Sequence, residues 1–290
     1  MVISRPPSLL PSYAKALFKG HSFKEGDVLP ALHYSFEGVT FPLDKIAAYC
    51  KACRLEETDY VPLFFPHSHM GPLHLAMMTH ESFPLKTMGA VHVRNHLVQL
   101  APLSSKETYQ ADLKIVGQRR RPAGLEFDLE TLITLDGKLL WSSISTYLVR
   151  MKFKGEDAKN RLSDAALNLD AKRELTSFEV PRSVGKEFGM VTGDINPIHM
   201  SKVLAKLFGF KKDLAHGMWS IGRGLSFFDH VDFLKPVRFD VAFKGPLYLG
   251  EMASVFCHPK DQGLFEFYGA GNDRPSIVGW VRNVDAEETL

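Results

Sequence analysis

A short sequence pattern occurs twice in this chain of 290 residues, and it limits the available folds more than any other feature. Val-Arg at 93–94 is followed, eight residues after the arginine, by Pro-Leu at 102–103. Val-Arg at 237–238 is followed at the same distance by Pro-Leu at 246–247. Both runs read as strands, and each is closed by a proline, which cannot donate to a sheet ladder. The chain is therefore expected to contain two similar structural units.

Each unit is predicted to be α+β, with helices followed by an antiparallel sheet. Helices are predicted at 69–80 in the first unit and at 197–208 and 217–228 in the second. Asp136-Gly137 favours a two-residue hairpin turn, and the arginine-rich run 118–124 is predicted to be a loop. Further strands are predicted at 109–116, 125–135 and 138–149 in the first unit and at 251–257, 264–269 and 276–283 in the second.

The composition is that of an ordinary globular protein and excludes several functional classes. The net charge of +2 gives no electrostatic case for binding nucleic acid or a membrane surface. No apolar run reaches the roughly 18 residues needed to span a bilayer. Three cysteines do not make a disulfide framework and suit a reducing compartment. A cytoplasmic enzyme or binding protein is the expected class.

The segment 193–199 (Gly-Asp-Ile-Asn-Pro-Ile-His) concentrates the side chains suited to chemistry. Asn196 is a favoured helix N-cap, and the proline that follows suits the first helical position. Asp194 is therefore expected on the loop before a helix, and His199 in its first turn. A carboxylate and an imidazole placed this way can converge on one water, which is the minimum needed to add water to a substrate or remove it.

The two units are expected to differ in function. By spacing, the helix at 69–80 corresponds to the one at 217–228, so the segment 193–199 has no counterpart in the first unit. A charged stretch, 151–174, is predicted to link the units. The predicted division is a catalytically silent, pocket-forming unit at 1–150 and a catalytic unit at 175–290.

Metal binding is considered and not predicted. Cys50 and Cys53 form a CxxC without the second pair that completes a zinc site. Four histidines lie on or near the first predicted helix, but their spacing does not place them on one helical face and no acid or thiol completes the set. These four are His67, His69, His74 and His80.

The motifs of the second unit resemble those of the MaoC-like (R)-specific enoyl-thioester hydratases. The resemblance covers about 176–260 and rests on the segment 193–199, His-Gly-Met at 216–218, Val-Arg-Phe at 237–239, Pro246 and Gly-Glu at 250–251. It implies a hot-dog fold, in which a sheet curls round one long helix. Two units with one active half resemble the double-hot-dog, hydratase 2 type. The implied activity is a hydro-lyase acting on acyl-CoA or acyl-carrier-protein thioesters in fatty-acid metabolism, without a cofactor.

The resemblance also implies roles for individual residues. Asp194 would hold and help activate the water, and His199 would take or relay its proton. Asn196 would cap the helix and orient this pair. The backbone N–H of Gly217 would face the thioester oxygen, as a helix N-terminus suits developing negative charge. His216 is interpreted as a structural residue at the helix start.

Other substrate contacts are expected on both units. Met218, Phe227 and Phe228 are candidates for the acyl pocket. Arg119 and Arg120 are candidates for a CoA phosphate or an acidic carrier protein, although a solvated hairpin loop also explains them.

Two other functions stay open, because a fold does not decide function. The same fold supports an acyl-thioesterase, and a non-enzymatic acyl-thioester binding or accessory subunit is the third possibility. Since the two units can pair within one chain, a homodimer is optional.

Overall fold

The computed structural model describes residues 2–3, 11–12, 15–16, 19–153, 171–288 and 290. Most of the predicted linker at 151–174 lies outside these residues. Within the described ranges, none of the helices has both the length and the apolar character needed to cross a membrane.

Short helices and antiparallel strands follow one another in a similar order in the two halves. The first half contains β1 (Val2–Ile3), β2 (His33–Val39), α1 (Leu43–Cys53), α2 (Phe65–His69), α3 (Gly71–Met78), β3 (Val91–Gln99), β4 (Tyr109–Arg121), β5 (Gly124–Leu135) and β6 (Lys138–Arg150). The second half contains β7 (Arg173–Glu179), α4 (Val184–Thr192), α5 (Pro197–Met200), α6 (Lys202–Leu207), α7 (Gly217–Gly224), a 3₁₀ turn (Leu225–Phe227), β8 (Val237–Phe243), β9 (Met252–Cys257), β10 (Leu264–Gly269) and β11 (Ile277–Asn283).

The eleven strands of the described residues form one sheet, in the order β1-β2-β4-β5-β6-β3-β8-β11-β10-β9-β7, in which only β1 pairs in parallel with its neighbour. Apart from the short β1, the order in the second half mirrors that in the first, and β3 meets β8 at the centre. The register there is two-fold symmetric with respect to the two copies of the sequence repeat. Arg94 pairs with Ala242, and the equivalent Arg238 pairs with Val98.

One hydrophobic core, packed between the sheet and the helices, spans both halves. Phe64 from the first half packs edge-on against Phe239 from the second, with ring centroids 4.7 Å apart. The indole N–H of Trp219 in α7 donates to the carbonyl of Ala52 in α1 at 2.8 Å. These contacts hold the helices of the two halves in fixed positions on the same sheet.

The predicted loop at 118–124 was wrong, because β4 continues to Arg121 and the turn to β5 is only two residues long. Ion pairs across the hairpin explain the difference. Arg119 binds Asp128 at 2.6 Å, and Arg121 binds Glu126 at 3.1 Å. An arginine run that reads as a solvated loop is therefore one side of a cross-strand charge ladder.

The predicted helices are shorter than their apolar patterns suggest. The helix expected at 197–208 is interrupted at Ser201, whose backbone is extended. The helix expected at 217–228 gives way to a 3₁₀ turn after Gly224, and that expected at 69–80 is replaced by α2 and α3, which meet at Met70. The predicted hairpin turn at Asp136-Gly137 is confirmed, since both residues have positive φ.

Candidate active site

A cavity of about 560 Å³ lies between the two halves and is lined by residues of both. Its wall from the second half includes Asp194, His199, His216 and Gly217, and its wall from the first half includes the ends of β3 and β6 and the faces of α2 and α3. This volume is typical of sites that take a small organic ligand.

Glycines in α4 bring the segment 193–199 against the helix. Gly193 ends α4 in the left-handed conformation, with φ of +77°, so that the chain reverses at this point. A Cβ on Gly185 would lie 2.1 Å from the carbonyl oxygen of His199, and one on Gly189 would lie 2.8 Å from that of Asp194. The absence of side chains at these two positions therefore sets the location of the acid and the imidazole.

Local hydrogen bonds fix the loop that carries Asp194. Asp194 Oδ1 accepts from the backbone N–H of Asn196 at 3.3 Å. Asn196 is the N-cap of α5, and its Oδ1 accepts from the N–H of Ile198 at 3.4 Å. His199 follows in the single turn of α5. The cap and the turn thus direct both side chains into the cavity.

The hydrogen bond of His199 determines which ring nitrogen is free for chemistry. Its Nδ1 lies 2.8 Å from the carbonyl oxygen of Leu214, and because a carbonyl only accepts, Nδ1 carries the proton. Nε2 of the neutral ring therefore keeps its lone pair. A fixed tautomer of this kind is what a general base requires.

His216 is part of the same cluster. Its ring stacks on that of His199, with centroids 3.7 Å apart. Its Nε2–H donates to the backbone carbonyl of Asp194 at 2.9 Å, and Nε2 lies 3.8 Å from Asp194 Oδ2. The sequence prediction treated His216 only as a helix-start residue. It is the N-cap of α7, and it also orients the acid and the second imidazole.

Burial and mutual contact set the charge states of this cluster. Burial, followed by His216, lowers the pKa of His199 to about 3, although Asp194 acts in the opposite direction. Burial likewise lowers the pKa of His216. Burial opposes ionisation of Asp194, but His216, His199 and the N–H of Asn196 outweigh it, and the pKa of Asp194 is lowered. Half of the Asp194 side chain, 51%, is exposed where it lines the cavity. The resting cluster is one carboxylate with two neutral imidazoles.

Gly217, the first residue of α7, also lines the cavity, beside this cluster. A Cβ at this position would lie 2.7 Å from the ring of Phe243. Only glycine therefore fits here without moving Phe243. The first N–H groups of a helix lack partners within the helix, so they are suited to bind an oxygen with developing negative charge.

The other predicted substrate contacts divide into one that lines the cavity and four that do not. Met218 lines it. Among the described residues that form the wall, Phe227, Phe228, Arg119 and Arg120 are absent.

The contacts of these four explain their absence from the wall. Phe228 packs in the core against Phe239 and Phe265, while Phe227 packs against Phe178 and Arg223. Arg119 is held by Asp128 and Glu126, and Arg120 by Glu25. The structure therefore does not bring them to the ligand space.

Sequence reasoning missed two groups of cavity residues. Exposed cations at the rim come from Arg150 and Lys244, which carry no motif. Three histidines of the first half, His67, His74 and His92, line the inner wall. The first two were noted in the sequence, but His92 lies in β3 and no pattern distinguished it.

The three side chains of the acid–imidazole cluster are also the ones that could hold a metal ion in the part of the chain described. Ligand atoms of Asp194, His199 and His216 lie within 4.8 Å of one another. His199 Nδ1 and His216 Nε2 are occupied by carbonyls, so each ring would offer only its other nitrogen.

Comparisons with known proteins identify related sequences. Residues 169–261 match the model of the MaoC like domain. The 3-hydroxyacyl-thioester dehydratase X of Mycobacterium tuberculosis is 29% identical to this chain over 244 residues, which cover 82% of this chain and 84% of that protein.

Solved structures show the same architecture. The crystal structure of HtdX of Mycobacterium tuberculosis superimposes with a TM-score of 0.75 at 24% identity, over 87% of this chain and 100% of that one. Another protein of the same organism, described as having a double hot-dog fold, covers 85% of this chain and 94% of its own, with a TM-score of 0.54 and 14% identity. The resemblance and the double-hot-dog fold expected from the sequence are confirmed.

Proposed function

Residues 169–261 form a MaoC-like domain within a double-hot-dog chain, and on this premise we propose that the protein is an (R)-specific enoyl-thioester hydratase, or 3-hydroxyacyl-thioester dehydratase in the reverse direction. The observation that carries the proposal is the convergence of an ionised carboxylate and a neutral imidazole beside the N-terminus of α7. This arrangement can hold a water, accept its proton and stabilise an oxyanion at one place.

Hydration begins with a water bound between Asp194 and His199. Asp194 accepts a hydrogen bond from the water and orients it, while His199 Nε2 takes a proton as the water oxygen bonds to Cβ of the enoyl group. The carbonyl of Leu214 stabilises the N–H at His199 Nδ1 while the ring is charged. The nearby carboxylate favours this transient imidazolium, which burial alone would oppose.

Charge moves from the double bond to the thioester oxygen as the new C–O bond forms. The N–H of Gly217, at the N-terminus of α7, donates to that oxygen and stabilises the enolate. The proton held by His199 is then available for Cα, which completes the addition of water and returns the imidazole to its neutral form. Dehydration follows the same steps in reverse.

The rim of the cavity supports a polyanionic acyl carrier. Arg150 and Lys244 are exposed there, and Lys86 is exposed in an adjoining pocket that shares Arg150, whereas His67 and His74 on the inner wall are buried. Cations at the mouth suit the phosphates of CoA or of a carrier-protein prosthetic group. We assign this role to the rim residues in place of Arg119 and Arg120.

The division of labour between the halves belongs to the same proposal. The first half, 1–150, supplies cavity wall without the catalytic pair, and the second half, 175–290, carries the chemistry. We also propose a cytoplasmic location, which suits the three unpaired thiols Cys50, Cys53 and Cys257.

A direct assay separates this function from its alternatives. The purified protein is mixed with trans-2-enoyl-CoA thioesters of increasing chain length, and both the absorbance of the conjugated enoyl thioester and the release of free thiol are followed. Loss of conjugation without thiol supports the hydratase. Release of thiol would instead show a thioesterase, and binding without either change would show an accessory protein.

A further inference from the structure

Three histidines from the first half form a second cluster on the inner wall of the cavity. We call His67, His74 and His92 the amino-terminal histidine cluster. The rings of His67 and His92 stack with centroids 5.2 Å apart, and the ring of His74 meets that of His67 edge-on at 5.3 Å. All three line the cavity that contains Asp194. A purely hydrocarbon ligand would not require imidazoles at this position.

Of these three histidines, only His74 has a hydrogen-bond partner at each ring nitrogen. Its Nε2 lies 2.9 Å from Thr131 Oγ1 and its Nδ1 lies 3.1 Å from the Tyr147 hydroxyl. These two hydrogen bonds hold His74 in a fixed position, and they leave it no hydrogen-bonding capacity for a ligand.

His67 has a hydrogen-bond partner at one ring nitrogen and, among the described residues, none at the other. Its Nδ1 lies 3.2 Å from Ser145 Oγ, which itself accepts from the Asn95 amide at 3.1 Å. The Ser145 hydroxyl proton is thus available to donate to Nδ1. With Nδ1 as acceptor, the neutral ring carries its proton on Nε2, which makes Nε2 a donor.

His92 differs from His67 because its unpaired ring nitrogen is an acceptor. The backbone of Arg94 hydrogen-bonds to its ring, while Nε2 is buried and has no partner among the described residues. Burial lowers the pKa of His92 to about 4, so the ring is neutral and Nε2 holds a lone pair. Burying an unpaired acceptor is unfavourable, and a hydrogen bond from a ligand group can offset that cost.

The location of these two nitrogens relates them to the reacting end of the substrate. The ring of His92 lies 5.2 Å from that of Phe243, and Phe243 in turn contacts Gly217. One phenyl ring thus separates the cluster from the helix start that faces the thioester oxygen.

From this geometry we propose that the inner end of the cavity is a subsite for a hydroxyl group carried on the acyl chain, held by His67 as donor and His92 as acceptor. A hydroxyl donates and accepts at once, which matches the adjacent pair. The proposal rests on the proposed function, because it takes the acyl thioester as the ligand. It adds that oxygenated acyl chains are preferred over plain ones.

The test compares pairs of trans-2-enoyl-CoA substrates of equal length, with and without a hydroxyl group moved stepwise along the distal chain. We expect one hydroxyl position to raise kcat/KM over the plain substrate. His92→Phe, which keeps a ring in the stack, should lower that preference by about 3- to 10-fold, the effect of one hydrogen bond. His67→Phe should do the same.

His69→Phe is the matched control, since His69 lies on the same helix as His67 but packs against Phe41 and Phe65, away from the cavity. It should retain the wild-type preference. The subsite would be overturned if the hydroxylated and plain substrates had equal kcat/KM at every hydroxyl position. It would also be overturned if the preference were unchanged in both His67→Phe and His92→Phe.

Binding of saturated acyl-CoA and hydroxyacyl-CoA, measured by calorimetry, separates the subsite from the reaction. Tighter binding of the hydroxylated compound without turnover of any enoyl-CoA would support the subsite and reject the proposed hydratase. Turnover with equal binding of both compounds would support the hydratase and reject the subsite.

Discussion

The cavity has a histidine cluster on each wall, and the two clusters differ in one component. On the wall from the second half, His199 and His216 share their surroundings with the carboxylate of Asp194. On the opposite wall, the hydrogen-bond partners of His67 and His74 are the hydroxyl groups of side chains. Burial keeps the imidazoles neutral on both walls. We propose that His199 is the acid–base group because a carboxylate lies within 4.8 Å of it, whereas the charge of Asp194 leaves the pKa of His92 on the opposite wall at about 4.

The largest effect should come from removing that carboxylate. Asp194→Asn keeps the size of the side chain but loses its charge, and we expect hydratase turnover to fall by about 10²- to 10⁴-fold. The measurement is loss of the conjugated absorbance of an enoyl-CoA.

Asp240→Asn is the control for this change, because Asp240 also contacts a histidine, His96 at 2.7 Å, but outside the cavity wall. It should leave turnover close to that of the wild type. Near-normal turnover in Asp194→Asn would show that the carboxylate does not distinguish the catalytic cluster from the amino-terminal histidine cluster.

A somewhat smaller loss is expected at the start of α7. Gly217→Ala places a methyl group 2.7 Å from the Phe243 ring, which must displace either the ring or the backbone N–H proposed to bind the thioester oxygen. We expect kcat to fall by about 10- to 10³-fold, on the scale of one oxyanion donor. Gly222→Ala meets Tyr49 at the same distance on the same helix, away from the cavity. If it reduced kcat equally, the Gly217 effect would be general damage to the helix.

Both clusters should make the protein sensitive to acid. The folded pKa values are about 3 for His74 and His199 and about 4 for His92, all below the unfolded value near 6.5. The unfolded state therefore binds more protons, and the free energy of unfolding falls as pH drops from about 6.5 towards 4. Each such histidine contributes about 1 kcal/mol per pH unit in this window.

Urea unfolding at a series of pH values measures this slope. His74→Gln, which cannot be protonated, should be less sensitive to pH than the wild type. An equal slope in the two proteins would show that the amino-terminal cluster is not kept neutral by the fold.

The smallest effect is expected at the rim. Arg150→Gln should raise KM for acyl-CoA by about 2- to 5-fold with little change in kcat, and the difference should shrink at high salt because exposed charges are screened. Arg120→Gln, whose guanidinium pairs with Glu25, should leave KM unchanged. If Arg120→Gln raised KM and Arg150→Gln did not, the phosphate contact would instead lie at the arginine run of β4.

The parts of the site that follow local rules were predictable from sequence. An Asn-Pro pair starts a helix whatever surrounds it, so the positions of Asp194 and His199 could be inferred from residue types alone. The repeat at 93–94 and 237–238 likewise predicted two equivalent strands, β3 and β8, which pair with each other in the structure.

The rest depends on contacts between distant parts of the chain. His92 in β3 pairs with Tyr147 of β6, and both line the cavity, whereas Arg119 is held outside the cavity wall by acids that lie opposite it on β5. Tyr147 is far from His92 in the sequence, whereas the acids opposite Arg119 belong to the other strand of the same hairpin. The contact of His216 with Asp194 is also formed by folding, since 22 residues separate them.

The ladder between β3 and β8 also protects the protein from aggregation. It runs from Arg94 to Gln99, and both strands would become open edges if the halves were separated. An open edge offers unpaired N–H and C=O groups to any other strand, including one from a second molecule. In the intact chain each half covers the edge of the other. The first half therefore covers the strand edge of the second half and prevents it from pairing with the same edge of another molecule.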